Sequence, residues 1–213
     1  MPGNRPYVAV VVAHPDDETL WCGGFILQHP HWHWRIVTLC RASDQERASR
    51  FASVLSLFGA EGEMADLDDG PDQRPLPAAE VEETILRLLP QADFDLVLTH
   101  GPAGEYTRHR RHEECSRGVS VLWHTHQLST RGLWMFAYKD EGGSKLPSAR
   151  ADADRRDILP PDIWYEKRRV LTSVYGFSDD SWEARAAPRE EGWWCFDDAT
   201  SAHEHTRRWS PDP

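Results

Sequence analysis

Acidic and imidazole side chains follow directly after an apolar segment near the start of the chain. Residues 7–13 form an unbroken apolar run rich in valine, which is typical of a strand buried on both faces of a parallel sheet. The run ends in the sequence His-Pro-Asp-Asp-Glu at 14–18. Carboxylates removed from water are costly unless a cation or hydrogen bonds compensate them. A divalent metal ion is the simplest compensation, so we expect a metal site at the end of this strand.

A second group of candidate ligands lies farther along the chain. A glycine-containing loop after another apolar segment leads into a predicted helix that carries His109 and His112. Positions i and i+3 share a helix face, which allows one histidine to bind a metal ion and the other to point toward a substrate. Catalytic zinc usually takes three protein ligands and leaves one position open for water. His14 and Asp17 can supply two ligands, and Asp16 is then free to act as a general base.

Alternating strand and helix patterns must position these residues. Strands are predicted over 7–13, 35–40, 61–67, 94–100 and 133–138. Helices are predicted over 18–28, 109–123 and 161–175; another runs from a capping box at 43–46 to Gly59, and a further one follows Pro77. This order predicts an α/β fold with a doubly wound sheet and right-handed crossovers. Ligands bind such sheets beyond the carboxyl ends of strands where the winding reverses, commonly between the first and fourth strands. Because the acid cluster and the histidine pair follow these two strands, we expect them to meet in one crevice.

Composition limits the class of protein and of partner. The 213 residues fit a single domain over 1–213, with a core at about 7–176 and a C-terminal arm at 177–213. The formal charge of −11 disfavours general affinity for nucleic acid or for an anionic membrane surface. No apolar stretch approaches the ~18 residues of a membrane span, the first residues lack a signal-peptide pattern, and the four cysteines form no Cys-x-x-Cys pair. We expect a cytoplasmic protein, and the sequence leaves its oligomeric state, including a homo-oligomer, open.

Two motifs carry a resemblance to a known family. The sequence Ala-His-Pro-Asp-Asp-Glu at 13–18, after a valine-rich strand, resembles the first motif of the PIG-L/LmbE family of zinc-dependent N-deacetylases. The segment 104–112 is similar to the second motif of that family, and the spacing between the two motifs suits it. The resemblance covers residues 7 to about 140. It implies a Rossmann-like domain, with a doubly wound, mostly parallel sheet flanked by helices.

The resemblance also implies a metal site and catalytic roles. It places one zinc ion (Zn²⁺) per chain on His14, Asp17 and His112, a ligand set that Fe²⁺ also suits. It implies that Asp16 is the general base. His109 would stabilise the oxyanion and help to protonate the leaving amine. An amide hydrolysis suits such a site, because zinc polarises a carbonyl group.

The substrate implied by the family is an N-acetylglucosamine-type sugar or sugar conjugate, a small molecule that loses its acetyl group. Arg47, Asp68 and Tyr106 are the expected substrate-binding residues. A helix surface explains Arg47 equally well, and turn formation explains Asp68 or its neighbour Asp69. The tryptophans of the predicted arm are expected to pin it to the domain rather than to bind the sugar.

The second motif departs from the His-Pro-Asp-His sequence that is common in the family, because Arg110 and Arg111 occupy its middle. With Arg108, these arginines can recognise a phosphate or carboxylate on the substrate. They can equally form a solvated first helical turn balanced by Glu113 and Glu114.

Two other functions stay open at this point. A metal-binding pseudoenzyme or glycan-conjugate binding module of the same fold is consistent with the altered second motif. A metal-dependent phosphoester hydrolase would need two metal ions about 4 Å apart, whereas the sequence offers a ligand set for one.

Overall fold

The computed structural model describes residues 5–209, so the first residues of the chain and the end of the predicted arm lie outside the described residues. The first part of the chain consists of β1 (Tyr7–Val12), α1 (Asp17–Gln28), β2 (His33–Thr38), α2 (Gln45–Phe58), β3 (Glu61–Met64), α3 (Ala78–Leu88), β4 (Leu96–Thr99) and α4 (Arg110–His124). The second part consists of β5 (Leu133–Phe136), β6 (Tyr138–Lys139), β7 (Ser148–Ala149), β8 (Arg155–Ile158), α5 (Pro161–Arg169), a π-helical turn (Val170–Val174), α6 (Trp182–Ala186), β9 (Glu190–Phe196) and α7 (Ala199–Trp209).

Seven strands form the main sheet in the order β3-β2-β1-β4-β5-β9-β8. The five strands from β3 to β5 run parallel, whereas β9 is antiparallel to both of its neighbours. Strands β6 and β7 form a separate antiparallel pair. The predicted α/β fold with a mostly parallel sheet is confirmed, and the winding reverses between β1 and β4.

Strand β1 lies at the centre of the sheet because both of its faces are apolar. Val8, Val10 and Val12 pack on one face with residues of α1 and α2. Ala9 and Val11 pack on the other face with residues of α3 and α4. Strand side chains alternate between the two faces, so an unbroken apolar strand requires helices on both sides of the sheet.

The start of α2 differs from the predicted capping box. Asp44, not Ser43, is the N-cap, and its carboxylate accepts a hydrogen bond from the backbone N–H of Arg47 at 3.0 Å. The Ser43 hydroxyl instead donates to Asp66 at 3.0 Å. Gly59 ends the helix as predicted, with a left-handed φ of 62° that glycine adopts without steric cost.

Residues after 177 contribute to the main sheet. Strand β9 pairs with β5 and β8, and its Trp193 is fully buried. Trp194 packs against Trp209 of α7, with ring centroids 5.9 Å apart. Among the described residues, no helix combines the length and the apolarity that crossing a bilayer requires.

Candidate active site

The two predicted segments meet beyond the carboxyl ends of β1 and β4, which are adjacent and parallel. A pocket of about 230 Å³ opens there, and the turn after β1 and the start of α4 both line it. The convergence expected from the strand order is therefore present in the structure.

The three expected metal ligands lie within contact of one another. The Oδ2 atom of Asp17 is 3.1 Å from His14 Nδ1 and 3.4 Å from His112 Nε2. Asp17 is held in place because its carboxylate also accepts from the His14 backbone N–H at 2.9 Å and from Trp21 Nε1 at 3.1 Å.

The free nitrogen of His112 indicates a missing partner. The His112 Nδ1 atom is 2.6 Å from Glu105 Oε2, and because a carboxylate accepts, this nitrogen carries the proton. The Nε2 lone pair is therefore available, yet this fully buried atom has no hydrogen-bond partner. Such an atom is costly to leave unsatisfied. Side chains around this atom could hold a metal ion: Asp17 and His112 form one such group with His100, and His14 and His112 form another with His109. Oxygen and nitrogen donors of this kind suit zinc.

His109 lies beside these ligands as an uncharged side chain. It is the N-cap of α4 and lines the pocket, with its ring centroid 4.9 Å from that of His14 and 4.4 Å from that of His112. Burial and the neighbouring imidazoles of His112 and His14 lower the pKa of His109 to about 3. Its buried Nδ1 has no hydrogen-bond partner among the described residues. A neutral imidazole at this position can donate a hydrogen bond into the pocket.

Asp16 projects into the pocket from a strained backbone. Its φ of 122° lies in a region that non-glycine residues rarely adopt. The Glu18 carboxylate holds this conformation by accepting from the Asp16 backbone N–H at 3.0 Å, and the Tyr175 hydroxyl donates to Glu18 at 2.7 Å. Burial and the charge of Asp17 raise the pKa of Asp16 to about 8, against the opposing effect of Arg47. A carboxyl with such a pKa is suited to proton transfer near neutral pH.

Two of the three predicted substrate-binding residues line the pocket, and the third does not. Arg47 lines the pocket and donates to Asp16 at 2.8 Å, and Tyr106 lines the same pocket. Asp68 lies outside it with its side chain 63% exposed, because its carboxylate instead accepts from the Gly70 backbone N–H of the turn. Its neighbour Asp69 is the acid on the pocket wall.

Asp69 contacts a metal-ligand candidate directly. Its Oδ1 atom is 3.2 Å from His14 Nε2, and its Oδ2 atom is 2.7 Å from the Arg41 guanidinium. Burial alone would raise the pKa of Asp69, but the hydrogen bond and charge of His14 outweigh it and lower that pKa strongly. The carboxylate is thus ionised and partly exposed to the pocket.

The site also contains residues that were not predicted, among them Trp182, Arg41 and Glu105. Trp182, the first residue of α6, lines the pocket with its side chain 38% exposed, and its ring centroid is 4.7 Å from that of Tyr106. Arg41 also lines the pocket. Glu105 lies buried behind His112. Its position four residues before the His-x-x-His of the second motif was a usable signal for Glu105, whereas no sequence pattern brings Trp182 to the pocket.

The arginines of the second motif do not line this pocket. Arg108 forms a bidentate pair with Glu113, with distances of 2.6 and 2.8 Å. Arg111 is buried, pairs with Glu114, and donates to the backbone carbonyl groups of Asp68 and Arg74. Of the two interpretations, pairing with Glu113 and Glu114 agrees with the structure, although Arg111 is buried rather than solvated.

Sequence comparisons identify related proteins. A family model described as PIG-L, GlcNAc-PI de-N-acetylase, matches residues 9–123, which is more than half of the chain. The uncharacterized protein L374 of Acanthamoeba polyphaga mimivirus is 24% identical over 134 residues. That alignment covers 54% of this chain and 58% of the viral protein, so the chain matches less than two thirds of the length of this relative.

Solved structures share the fold. The N,N′-diacetylchitobiose deacetylase from Pyrococcus horikoshii has a TM-score of 0.68 at 15% identity, over 91% of this chain and 85% of that one. The zinc-inhibited form of teicoplanin deacetylase Orf2 has a TM-score of 0.64 at 12% identity, over 89% and 97%. The 4-carboxy-2-hydroxymuconate hydratase GalB from Pseudomonas putida has a TM-score of 0.62 at 14% identity, over 89% and 95%. At these identities the likeness shows the fold alone, and the names of these proteins describe two different reactions.

Proposed function

The chain belongs to the PIG-L family, and we propose that it is a zinc-dependent hydrolase that removes the acetyl group from an N-acetylglucosamine-type sugar or sugar conjugate. One observation carries this proposal. The Asp17 carboxylate lies next to both His14 and His112, and the buried Nε2 atom of His112 has no hydrogen-bond partner. Asp16 and His109 line the same pocket. These are the groups that an amide hydrolysis requires.

Each pocket residue has a role in this reaction. A zinc ion held by His14, Asp17 and His112 would supply Lewis acidity at the pocket floor. Asp16 takes a proton from the water that attacks the acetyl carbonyl carbon. The neutral His109 donates a hydrogen bond to the oxyanion. Asp16, protonated by the attacking water, returns that proton to the amine when the C–N bond breaks. The products are acetate and the free amine.

The shape and lining of the pocket support a sugar as substrate. Trp182 and Tyr106 form an aromatic wall, and aromatic faces pack well against the apolar face of a pyranose ring. Arg47 and Asp69 lie on the polar side, where they can bind hydroxyl groups. Two of the structurally similar proteins are deacetylases of teicoplanin and of N,N′-diacetylchitobiose, which agrees with this substrate class.

A glycan-binding protein without turnover is the second candidate. It is favoured by one observation, that no described carboxylate hydrogen-bonds to the Nδ1 atom of His109.

The cytoplasmic location stays a prediction. The four cysteines are free, which suits a reducing compartment.

Acetate release from a panel of N-acetylglucosamine conjugates tests the proposal. The zinc-loaded wild type should release acetate, and Asp16→Ala should lose about 100-fold to 10,000-fold of that rate, since it lacks the general base. Asp95→Asn, a change next to the amino end of β4 and outside the pocket, is the control and should keep the rate. An Asp16→Ala rate equal to wild type would refute the base assignment, and glycan binding without acetate release would favour the second candidate.

A further inference from the structure

We propose that Glu105 is the positioning residue of the metal centre, because one of its carboxylate oxygens is shared by two buried imidazoles and fixes the tautomer of both. The proposal rests on the metal site of the proposed function. Glu105 touches neither the pocket nor the expected substrate, so it acts through the histidines it holds.

The contacts of Glu105 leave one arrangement of protons. Its Oε2 atom is 2.6 Å from His112 Nδ1 and 3.0 Å from His100 Nδ1, and its Oε1 atom accepts from the Gly101 backbone N–H at 2.7 Å. The side chains of Glu105, His100 and His112 are fully buried, so water does not compete for these bonds. An ionised carboxylate only accepts, so both Nδ1 atoms carry hydrogen.

His100 is excluded as a metal ligand because its Nε2 atom already accepts a hydrogen bond. The backbone N–H of Ala13 can only donate, and it lies 2.9 Å from His100 Nε2, so that lone pair is already used. His100 therefore connects Glu105 with the residue before His14, although its Nε2 atom is 3.4 Å from Asp17. Glu105 thus ties the end of β1 to α4.

His112 differs from His100 in what its Nε2 atom meets. The two rings stack with centroids 3.8 Å apart and share the same anchor, but His112 Nε2 has no hydrogen-bond partner and faces Asp17. Without the Glu105 carboxylate, the His112 proton could move to Nε2, and the ligand lone pair would be lost. A carboxylate partner of this kind orients a metal-binding histidine and raises its basicity.

Glutamine cannot replace this carboxylate although it has nearly the same shape. The site presents three donors, at His112, His100 and Gly101, to the two oxygens of Glu105. An amide has one oxygen, so in Glu105→Gln the NH₂ group must face at least one N–H. The variant therefore either flips a histidine tautomer or leaves a buried donor unpaired.

The test measures zinc affinity by chelator competition for wild type, Glu105→Gln and Glu191→Gln. Glu191 is the matched control, because it is also a fully buried carboxylate, accepts from the backbone N–H groups of Gly24 and Phe25, and lies away from the pocket. Both variants should lose stability, but only Glu105→Gln should lose about 10-fold to 100-fold in zinc affinity. Equal zinc affinity of Glu105→Gln and wild type would overturn the proposal.

A second measurement needs no variant. Histidine ¹⁵N NMR of the zinc-free wild type should show Nδ1–H with a free Nε2 lone pair for His112, and Nδ1–H for His100. A proton on His112 Nε2 would overturn the proposal even if Glu105→Gln fails to fold. If the wild type binds zinc and releases no acetate, the proposed reaction fails and the Glu105 assignment stands.

Discussion

Asp16 combines a strained backbone with a buried carboxylate, and two neighbours control it in different ways. Glu18 fixes the backbone conformation through the Asp16 N–H. Arg47 pairs with the carboxylate and favours its charged form. Strained positions of this kind persist where surrounding contacts over-determine them, which is common in active sites.

The first prediction concerns the pH dependence of activity. Arg47 lowers the pKa of Asp16, so Arg47→Gln should raise that pKa further. The general base must be deprotonated, so the acidic limb of the kcat/KM profile should move to higher pH in the variant. Arg117→Gln, an exposed change on α4 outside the pocket, should leave the profile in place. A profile of Arg47→Gln that shifts to lower pH would contradict the pairing.

The second prediction concerns Trp182. An exposed tryptophan at a pocket mouth has little role in the core, so Trp182→Ala should fold normally. If the ring stacks on the sugar, KM should rise by about 10-fold, equivalent to about 1.4 kcal/mol, with a much smaller change in kcat. Trp182→Phe should restore most of the binding. Unchanged KM in Trp182→Ala would remove the aromatic wall from the substrate site.

At the scale of elements, distant parts of the chain meet through buried polar contacts. Glu191 of β9 accepts from two N–H groups within α1 and pairs with Lys167 of α5 at 2.7 Å. Arg111 of α4 holds the segment that carries Asp69, through the carbonyl groups of Asp68 and Arg74. Of these contacts, those of Arg111 fix the segment that places Asp69 on the pocket wall.

The third prediction tests the Arg111 contact. Arg111→Ala leaves Glu114 buried without its cation, so it should destabilise the protein by about 3–5 kcal/mol. Arg108→Ala removes an exposed pair with Glu113 and should cost about 1 kcal/mol or less. The free energy of unfolding from denaturant titration checks both values. Equal losses in the two variants would contradict the structural role of Arg111.

The sequence predicted the parallel part of the fold and left the antiparallel edge undetected. Strand β1 was recognisable because an unbroken valine-rich run needs cover on both faces. Strand β8 has the sequence Arg-Arg-Asp-Ile, which lacks an apolar alternation, and β9 was assigned to an arm. Their place in the sheet depends on pairing with β5 and each other, which no local pattern encodes.

The sequence predicted the part of the candidate site that lies within the two motifs, but not the residues that other segments bring to the pocket. Residues within the two motifs come together, because each motif follows a strand of known position in the sheet. Asp69 rather than Asp68 reaches the pocket, since Arg111 and the turn at Gly70 fix the direction of that loop. Trp182 arrives from an element far along the chain, so only the three-dimensional structure reveals it.

At the scale of the whole molecule, the fold does not determine the reaction. Deacetylases and a hydratase share this architecture at similar TM-scores. Function must therefore be argued from the site, and the proposed metal centre is the feature on which the other assignments depend.

The most direct measurement of that centre is the metal content of zinc-loaded wild type, His112→Ala and His124→Ala by elemental analysis. His124 lies at the far end of α4, outside the pocket, and is the control. We predict about one equivalent of zinc in the wild type and in His124→Ala, and loss of most of it in His112→Ala, because three protein ligands are needed. Full zinc content in His112→Ala, or none in the wild type, would contradict the account.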